Sequence, residues 1–204
     1  MNDIAVPTIL IVPGLRDHVP QHWQTLLEQK LTNARSVPRM ERDKLSCAAW
    51  VARLDESLAA IAGPVILVAH SAGVMIVVHW AQTHRRPIAG ALLAAPPDFE
   101  SPLPEGYPTG GALRASGWLP TPRARLPFPT IVGASTNDPL GRYDRVEALA
   151  QAWGSKLVNL GNVGHLNPAS GYGEWPQAEA LIGELANMHD HGPNQAWPAA
   201  AVGR

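Results

Sequence analysis

The segment Val65-Ile-Leu-Val-Ala-His-Ser-Ala-Gly73 joins a run of apolar residues directly to a serine. Ala69 lies two positions before Ser71 and Gly73 lies two positions after it, so both flanking residues are small. A nucleophile elbow needs small residues there, because bulky side chains would collide with neighbouring backbone at the strained turn from strand to helix. Alanine stands at 69 where this motif usually has glycine. A serine that only caps a helix gives the same local pattern, so this segment alone leaves both interpretations open.

Short apolar runs alternate with longer segments of helical character along the rest of the chain. The predicted strands are Thr8 to Val12, Ala34 to Pro38, Val65 to Ala69, Ile88 to Ala94, Thr130 to Ala134 and Lys156 to Leu160. The predicted helices are Pro20 to Leu31, Ala48 to Ile61, Ser71 to Thr83, Arg142 to Trp153 and Pro176 to Met188. Strands that are apolar at successive positions are covered on both faces, as in parallel sheets. The alternation predicts an α/β fold with a doubly wound, mostly parallel six-stranded sheet flanked by helices.

Asp138 and His165, which lie later in the chain than Ser71, are residue types that can activate a serine. A serine hydroxyl is a poor nucleophile until a base takes its proton, and an acid must hold that base in one tautomer. Asp138 follows the strand ending at Ala134, and His165 follows the strand ending at Leu160. Both therefore lie at the sheet edge where Ser71 lies, and they follow the serine in the order acid, then histidine.

Each of these partners has a simpler interpretation when taken alone. An aspartate before proline is typical of a turn, and a histidine in a glycine-flanked loop is commonly structural. Asp98, which follows the fourth predicted strand, is an alternative acid. The combination of three residue types in this order favours a Ser71, Asp138 and His165 triad.

The loop after the first strand predicts an oxyanion hole. In such folds one donor is the backbone N–H after the nucleophile, here that of Ala72, and the other comes from the loop after the first strand of the core sheet. We assign the second donor to Leu15, with Gly14 allowing close approach of the chain. Arg16 and Asp17 follow at the rim, where they either pair with each other or meet a substrate.

Composition narrows the function class. The chain has 204 residues, 46% hydrophobic and 16% charged, with a net charge of −1, which is typical of a globular protein and gives no basis for binding nucleic acid or an anionic membrane. The single cysteine, Cys47, excludes an intramolecular disulfide, as is typical of proteins in a reducing compartment. The N-terminal apolar run is broken at Pro13 and is too short for a signal peptide core, so we predict a cytoplasmic protein. The first predicted βα turn lacks the G-x-G-x-x-G of dinucleotide-binding folds.

Other candidate sites are weaker. His18 and His22 have the i, i+4 spacing of some metal ligands, but Pro20 lies between them, and no metal site is expected.

Residues 1–188 are expected to form one domain, followed by a loose tail at 189–204. The stretch from 96 to 129 is rich in proline and glycine and is predicted to be a lid-like or binding loop. Trp118, within that stretch, is the tryptophan expected to contact substrate.

These segments resemble the serine hydrolase family that contains retinoblastoma-binding protein 9 and the bacterial YdeN-like proteins. The residues that carry the resemblance are Pro13-Gly14, His22-Trp23, Ala69 to Gly73, Ala95 to Asp98, Leu126 to Pro129, Ser135 to Pro139, Gly164 to Asn167 and Ser170 to Pro176. The resemblance implies a compact α/β-hydrolase fold without a large cap domain, a triad at Ser71, Asp138 and His165, and no cofactor. A retinoblastoma-type partner is not implied, because Leu45-Ser-Cys-Ala-Ala49 has alanine where the L-x-C-x-E motif has glutamate.

The sequence thus predicts a carboxylesterase- or amidase-like enzyme that cleaves small or medium ester or activated amide substrates through an acyl-enzyme. The alternative is a protein-interaction module that keeps the hydrolase fold with little catalysis. Oligomeric state and the physiological substrate have no signal in the sequence.

Overall fold

The computed structural model describes residues 6–16 and 18–190. The strands are β1 (Thr8–Val12), β2 (Ala34–Ser36), β3 (Val65–His70), β4 (Gly90–Ala94), β5 (Thr130–Ala134) and β6 (Lys156–Asn159). The helices are α1 (Trp23–Lys30), α2 (Cys47–Ala59), α3 (Ala72–Thr83), α4 (Gly110–Ala115), α5 (Tyr143–Trp153) and α6 (Pro176–Asp190). A short 3-10 helix spans Pro168–Ser170. The predicted elements are thus present, with ends shifted by a few residues.

All six strands form one sheet in the order β2-β1-β3-β4-β5-β6, and every neighbouring pair is parallel. The predicted fold class is confirmed. From β1 the chain crosses to β2 on one side, and from β3 it crosses to β4 on the other. The connections therefore diverge between β1 and β3, which opens a crevice at the carboxyl ends of these two strands.

Apolar side chains cover both faces of the sheet. Successive residues of β1 alternate between the faces, with Ile9 and Ile11 packed on the side of α1 and α6. Leu10 and Val12 pack on the opposite side, beneath α2, α3 and α5. Burying one such side chain contributes about 1.5–3 kcal/mol, so the two layers of helices clamp the strands in register.

Helix α3 corresponds to the helix that the sequence predicted from Ser71 to Thr83. Residues 72–78 and 80–81 are all buried, so the helix is apolar around most of its circumference. It begins directly after β3 and packs against the neighbouring β1. A Cβ on Gly73 would lie 2.2 Å from the carbonyl oxygen of Val12 and 2.8 Å from that of Pro13. Only glycine permits this approach of the helix to β1.

The proline-rich stretch contains a helix that the sequence analysis missed. Helix α4 begins after Thr109, whose hydroxyl accepts a hydrogen bond from the Ala112 N–H, and Leu113 is its buried anchor. The helix begins with two adjacent glycines, and each glycine in a helix interior is about 1 kcal/mol less favourable than alanine. The sequence therefore did not predict a helix here. The predicted C-terminal tail lies outside the described residues from position 191 onward, as does Asp17.

We predict that Gly73→Ala lowers the free energy of unfolding by about 2–4 kcal/mol, because the fixed backbone of β1 has no room for the methyl group. Gly183→Ala is the matched control. Gly183 lies on the exposed face of α6 with no atom within 4 Å of the added Cβ, so this variant gains up to about 1 kcal/mol. Urea unfolding measures both, and equal stabilities for the two variants would contradict the packing described for α3.

Candidate active site

Ser71 occupies a strained turn between β3 and α3. Its backbone has φ 56° and ψ −128°, a conformation that costs a non-glycine residue about 1–3 kcal/mol. The Ser71 N–H donates to the Ala94 carbonyl at 3.0 Å, and the Val74 N–H donates to the Ser71 carbonyl at 2.9 Å. The Ser71 side chain makes no capping hydrogen bond to α3, which removes the interpretation of this serine as a helix cap.

The hydroxyl of Ser71 instead meets His165. The distance from Ser71 Oγ to His165 Nε2 is 2.8 Å. On the other side of the ring, His165 Nδ1 lies 2.8 Å from Asp138 Oδ2 and 3.0 Å from Oδ1. With Nδ1–H donating to the carboxylate, Nε2 is free to accept from the hydroxyl. The structure thus brings the three predicted residues into one hydrogen-bonded chain.

Two loops hold the acid and the histidine in place. The Leu140 N–H donates to Asp138 Oδ1 at 2.8 Å, and the His165 N–H donates to Ser170 Oγ at 3.0 Å. Asn137 Oδ1 accepts from the Gly164 N–H at 2.7 Å, which ties the loop after β5 to the loop after β6. His165 and Asp138 are only 4% and 8% exposed, so water competes weakly for their hydrogen bond.

Asp98, the alternative acid, binds Arg145 and Ser101 and not His165. Its carboxylate accepts from Arg145 Nε at 2.8 Å and from Ser101 Oγ at 2.6 Å. Burial raises the pKa of Asp98, but the hydrogen bonds from Arg145 and Ser101 outweigh it, and the net pKa is lowered. Among the described residues Asp98 has no contact with His165, so the interpretation of Asp98 as the acid is wrong.

The loop after β1 lies against Ser71. A Cβ on Gly14 would lie 3.2 Å from Ser71 Cβ and 3.5 Å from Ser71 Oγ, so a side chain at 14 would crowd the hydroxyl. The N–H groups of Leu15 and Ala72 have no acceptor within the described part of the chain. For Ala72 this is the usual state of the first residue of a helix. Both N–H groups are therefore available to an acceptor that the described residues do not supply.

A cavity of about 530 Å³ opens at this edge of the sheet and contains Ser71 and His165 in its wall. Apolar side chains form most of the lining. The proline-rich stretch contributes Pro97, Phe99, Leu103, Tyr107 and Pro108. Gly14 and Arg16 also line the cavity. The guanidinium of Arg16 lies over the ring of Tyr107, 5.0 Å from its centroid, which joins two sides of the cavity mouth.

Trp118 does not line the cavity, so its predicted substrate contact is wrong. Its side chain is fully buried, its Nε1–H donates to the Leu45 carbonyl at 2.6 Å, and its ring packs edge-on against Phe99. The large apolar ring is more stable in the core than at a solvent-filled wall. Trp118 instead supports Leu45 and Phe99, which do line the cavity.

Three imidazoles lie in a row beside Ser71, an arrangement that the sequence did not predict. The ring centroids of His22 and His70 are 4.6 Å apart, and those of His70 and His165 are 4.9 Å apart. His70 Nε2 lies 2.8 Å from the His165 carbonyl oxygen and fixes that loop. Burial, followed by the nearby imidazoles of His165 and His22, holds the pKa of His70 well below its usual value.

His22 has two roles that its spacing from His18 did not indicate. Its Nδ1 accepts from the Gln24 N–H at 3.2 Å, which caps α1, and its ring lines the cavity. Burial, and then the charge of His165, lower the pKa of His22 to about 4. His18 lies elsewhere, with its Nε2 3.1 Å from the Val37 carbonyl oxygen. No group of three metal-binding side chains occurs within residues 6–16 and 18–190.

Comparison with known proteins now gives the family. The sequence model of the serine hydrolase family matches residues 9–184, which is most of the chain. The chain belongs to the serine hydrolase family. A YdeN-like hydrolase from Pectobacterium atrosepticum has 30% sequence identity and a TM-score of 0.77, covering 89% of this chain and 91% of that one. The predicted YdeN-like membership is confirmed, and the protein is a hydrolase.

More distant structures show the same fold. The ydeN gene product of B. subtilis has 17% identity and a TM-score of 0.67 over 89% of this serine hydrolase and 100% of that chain. The esterase Est1E of Butyrivibrio proteoclasticus, whose structure holds ferulic acid, has 13% identity and a TM-score of 0.66 over 93% and 90%. A search of curated proteins gives no match. Among the described helices, none is long and apolar enough to cross a bilayer.

The depressed pKa of His22 predicts loss of stability in acid. The folded-state pKa of about 4 is below the ordinary value of 6.5, so between these values the unfolded chain binds the proton that the folded chain does not. Stability is therefore complete above about pH 6.5 and falls as the pH drops toward 4, with a full effect on the order of 3 kcal/mol from His22.

His22→Asn tests this prediction, because asparagine keeps a side-chain cap on α1 but does not titrate. Urea unfolding at a series of pH values from 8 to 4, a range set by this titration, should show a shallower acid loss in the variant than in wild type. Parallel loss in the two proteins would contradict the assignment to His22.

Proposed function

We propose that this serine hydrolase cleaves small or medium ester or activated amide substrates through a covalent acyl-enzyme, with Ser71 as nucleophile, His165 as general base and Asp138 as the orienting acid. The observation that carries the proposal is the hydrogen-bonded chain from the Ser71 hydroxyl through the imidazole to the Asp138 carboxylate. Two further observations support the proposal: the chain belongs to the serine hydrolase family, and Ser71 and His165 lie in the wall of the cavity.

In the first half-reaction, Ser71 Oγ attacks the substrate carbonyl carbon while His165 Nε2 takes the hydroxyl proton. A new C–O bond forms, and the carbonyl oxygen becomes an oxyanion. His165 then gives its proton to the leaving oxygen or nitrogen, the bond to that atom breaks, and the acyl group stays on Ser71. In the second half-reaction, His165 Nε2 takes a proton from water, and the water oxygen forms a bond to the acyl carbon. The bond from that carbon to Ser71 Oγ then breaks, His165 returns the proton to Oγ, and the free acid leaves.

Asp138 acts through the imidazole. Its carboxylate accepts from Nδ1–H, which leaves the basic Nε2 facing Ser71, and its negative charge stabilises the imidazolium formed during attack. The Leu140 N–H donates to one carboxylate oxygen and so limits the rotation of the Asp138 side chain.

The N–H groups of Leu15 and Ala72 are the proposed oxyanion donors. Ala72 follows Ser71 directly, Leu15 follows Gly14 and lines the cavity, and neither N–H has an acceptor in the described structure. Gly14 leaves space beside the hydroxyl for the substrate. A donor of this kind is typically worth about 3–4 kcal/mol in the transition state, because it is already oriented before charge develops.

The cavity sets the proposed size of the substrate. A volume of about 530 Å³ lies within the range of small-molecule sites, and the lining by Leu15, Leu45, Phe99 and Leu103 suits an aliphatic or aromatic chain. The proline-rich stretch from 96 to 129 forms one wall of the cavity. We propose it as the binding loop that shields the apolar part of the substrate from water.

The two buried aspartates provide a matched test of the triad. We predict that Asp138→Asn lowers kcat for p-nitrophenyl butyrate about 10⁴-fold, because the amide presents the wrong hydrogen-bonding partner to the imidazole. Asp98→Asn removes an acceptor of Arg145 without touching His165, so its kcat should stay within about threefold of wild type while its stability falls.

Steady-state kinetics on folded variants measures the difference, with Ser71→Ala defining the background rate. Circular dichroism and thermal unfolding confirm that each variant is folded at the assay temperature. Equal losses of kcat in the two aspartate variants, or turnover by Ser71→Ala at the wild-type rate, would exclude the proposed triad.

A further inference from the structure

The mouth of the cavity carries two cationic side chains, Arg16 and Lys44, on separate segments. Arg16 comes from the loop after β1, and Lys44 comes from the segment before α2. Both are exposed, and the described structure gives neither an ion-pair partner. The cavity wall contains no carboxylate among the described residues, since Asp138 is covered by His165 and does not line it. Among the described residues, no carboxylate that lines the cavity balances this positive charge.

Contacts with aromatic side chains limit the movement of both cationic residues. The Lys44 carbonyl accepts from Trp50 Nε1 at 2.9 Å, and the next carbonyl, that of Leu45, accepts from Trp118 Nε1 at 2.6 Å. Two buried indoles thus fix the segment that presents Lys44. Arg16 rests over the ring of Tyr107, which limits the positions of its guanidinium.

Most other polar side chains in the wall are already occupied. Gln24 donates to the carbonyls of Val12 and Val68, and His70 contacts the His165 carbonyl. Asn167 accepts from the Ser170 N–H and hydroxyl. A ligand that fills the apolar cavity therefore finds its strongest free hydrogen-bond donors at the mouth, and both of them are positively charged.

We propose that this site selects substrates with a carboxylate placed several bonds from the scissile carbonyl, and that Arg16 and Lys44 bind that carboxylate. The inference rests on the proposed function and adds the substrate class. The apolar chain lies in the cavity with its carbonyl at Ser71, and the carboxylate reaches the mouth, where it stays partly hydrated. A charge pair at contact distance in a solvated setting is worth about 1 kcal/mol, or on the order of fivefold in kcat/KM for each cation.

The carboxylate belongs either to the acyl group or to the leaving group, and two pairs of esters distinguish these cases. The acyl pair is mono-p-nitrophenyl adipate and its neutral methyl ester. The leaving-group pair is p-carboxyphenyl hexanoate and p-carbamoylphenyl hexanoate. The readout is the ratio of kcat/KM for the anionic ester to that for its neutral partner.

Wild type should prefer the anionic ester in one pair, and Arg16→Gln or Lys44→Gln should lower that ratio on the order of fivefold, with a larger loss in the double variant. Arg42→Gln is the matched control, because Arg42 is exposed two positions from Lys44 but does not line the cavity. Raising sodium chloride from about 0.1 M to about 1 M should also lower the ratio, since the Debye length falls from about 10 Å to about 3 Å.

A wild type that hydrolyses the neutral esters without preferring either anionic one would overturn the carboxylate proposal and leave the proposed function standing. The same holds if the preference survives in the double variant, or if Arg42→Gln lowers it equally. Hydrolysis of none of the four esters by folded wild type would overturn both.

Discussion

The imidazole of His165 lies between a hydroxyl and a carboxylate that come from different strands, and this position depends on the parallel order of β3, β5 and β6. In a parallel sheet every strand ends at the same edge, so residues that follow distant strands meet there. The apolar layers on both faces hold the strands in register. A shift of one strand by a single residue would move its loop by about 3.3 Å, more than the length of either hydrogen bond to His165.

Strain at Ser71 and the close approach at Gly73 are two parts of the same arrangement. The turn places the hydroxyl above the sheet edge only because α3 starts immediately and packs directly on β1. The cost of the left-handed backbone at Ser71 is offset by burial along α3, one of the most apolar segments of the chain. The local strain is therefore stable only within this fold.

Much of the fold and the candidate site could be predicted from local patterns. The strands are short apolar runs, and the positions of Ser71, Asp138 and His165 follow from which run each one succeeds. The sequence favoured Asp138 over Asp98, but it could not show that Asp98 pairs with Arg145 of α5, because that contact is a tertiary property. Trp118 was misplaced for the same reason, since its partner Leu45 is far away in sequence.

The row formed by His22, His70 and His165 also depends on tertiary structure. His70 adjoins Ser71 and His22 precedes α1, and their contact exists because β1 and β3 are neighbours in the sheet. Buried imidazoles on one side, with Arg16 and Lys44 at the mouth, give the cavity a polarity that composition does not reveal. The near-zero net charge of the whole chain conceals this local asymmetry.

The most direct measurement of the central claim is reaction of the folded protein with a fluorophosphonate, followed by mass spectrometry of the digested adduct. The account predicts one phosphonyl group, located on the Ser71 side chain, and no adduct in Ser71→Ala or after heat unfolding. Attachment at another residue, or an unmodified Ser71 in folded protein that still hydrolyses esters, would contradict it, and a folded protein with neither labelling nor turnover would favour a binding role for this fold.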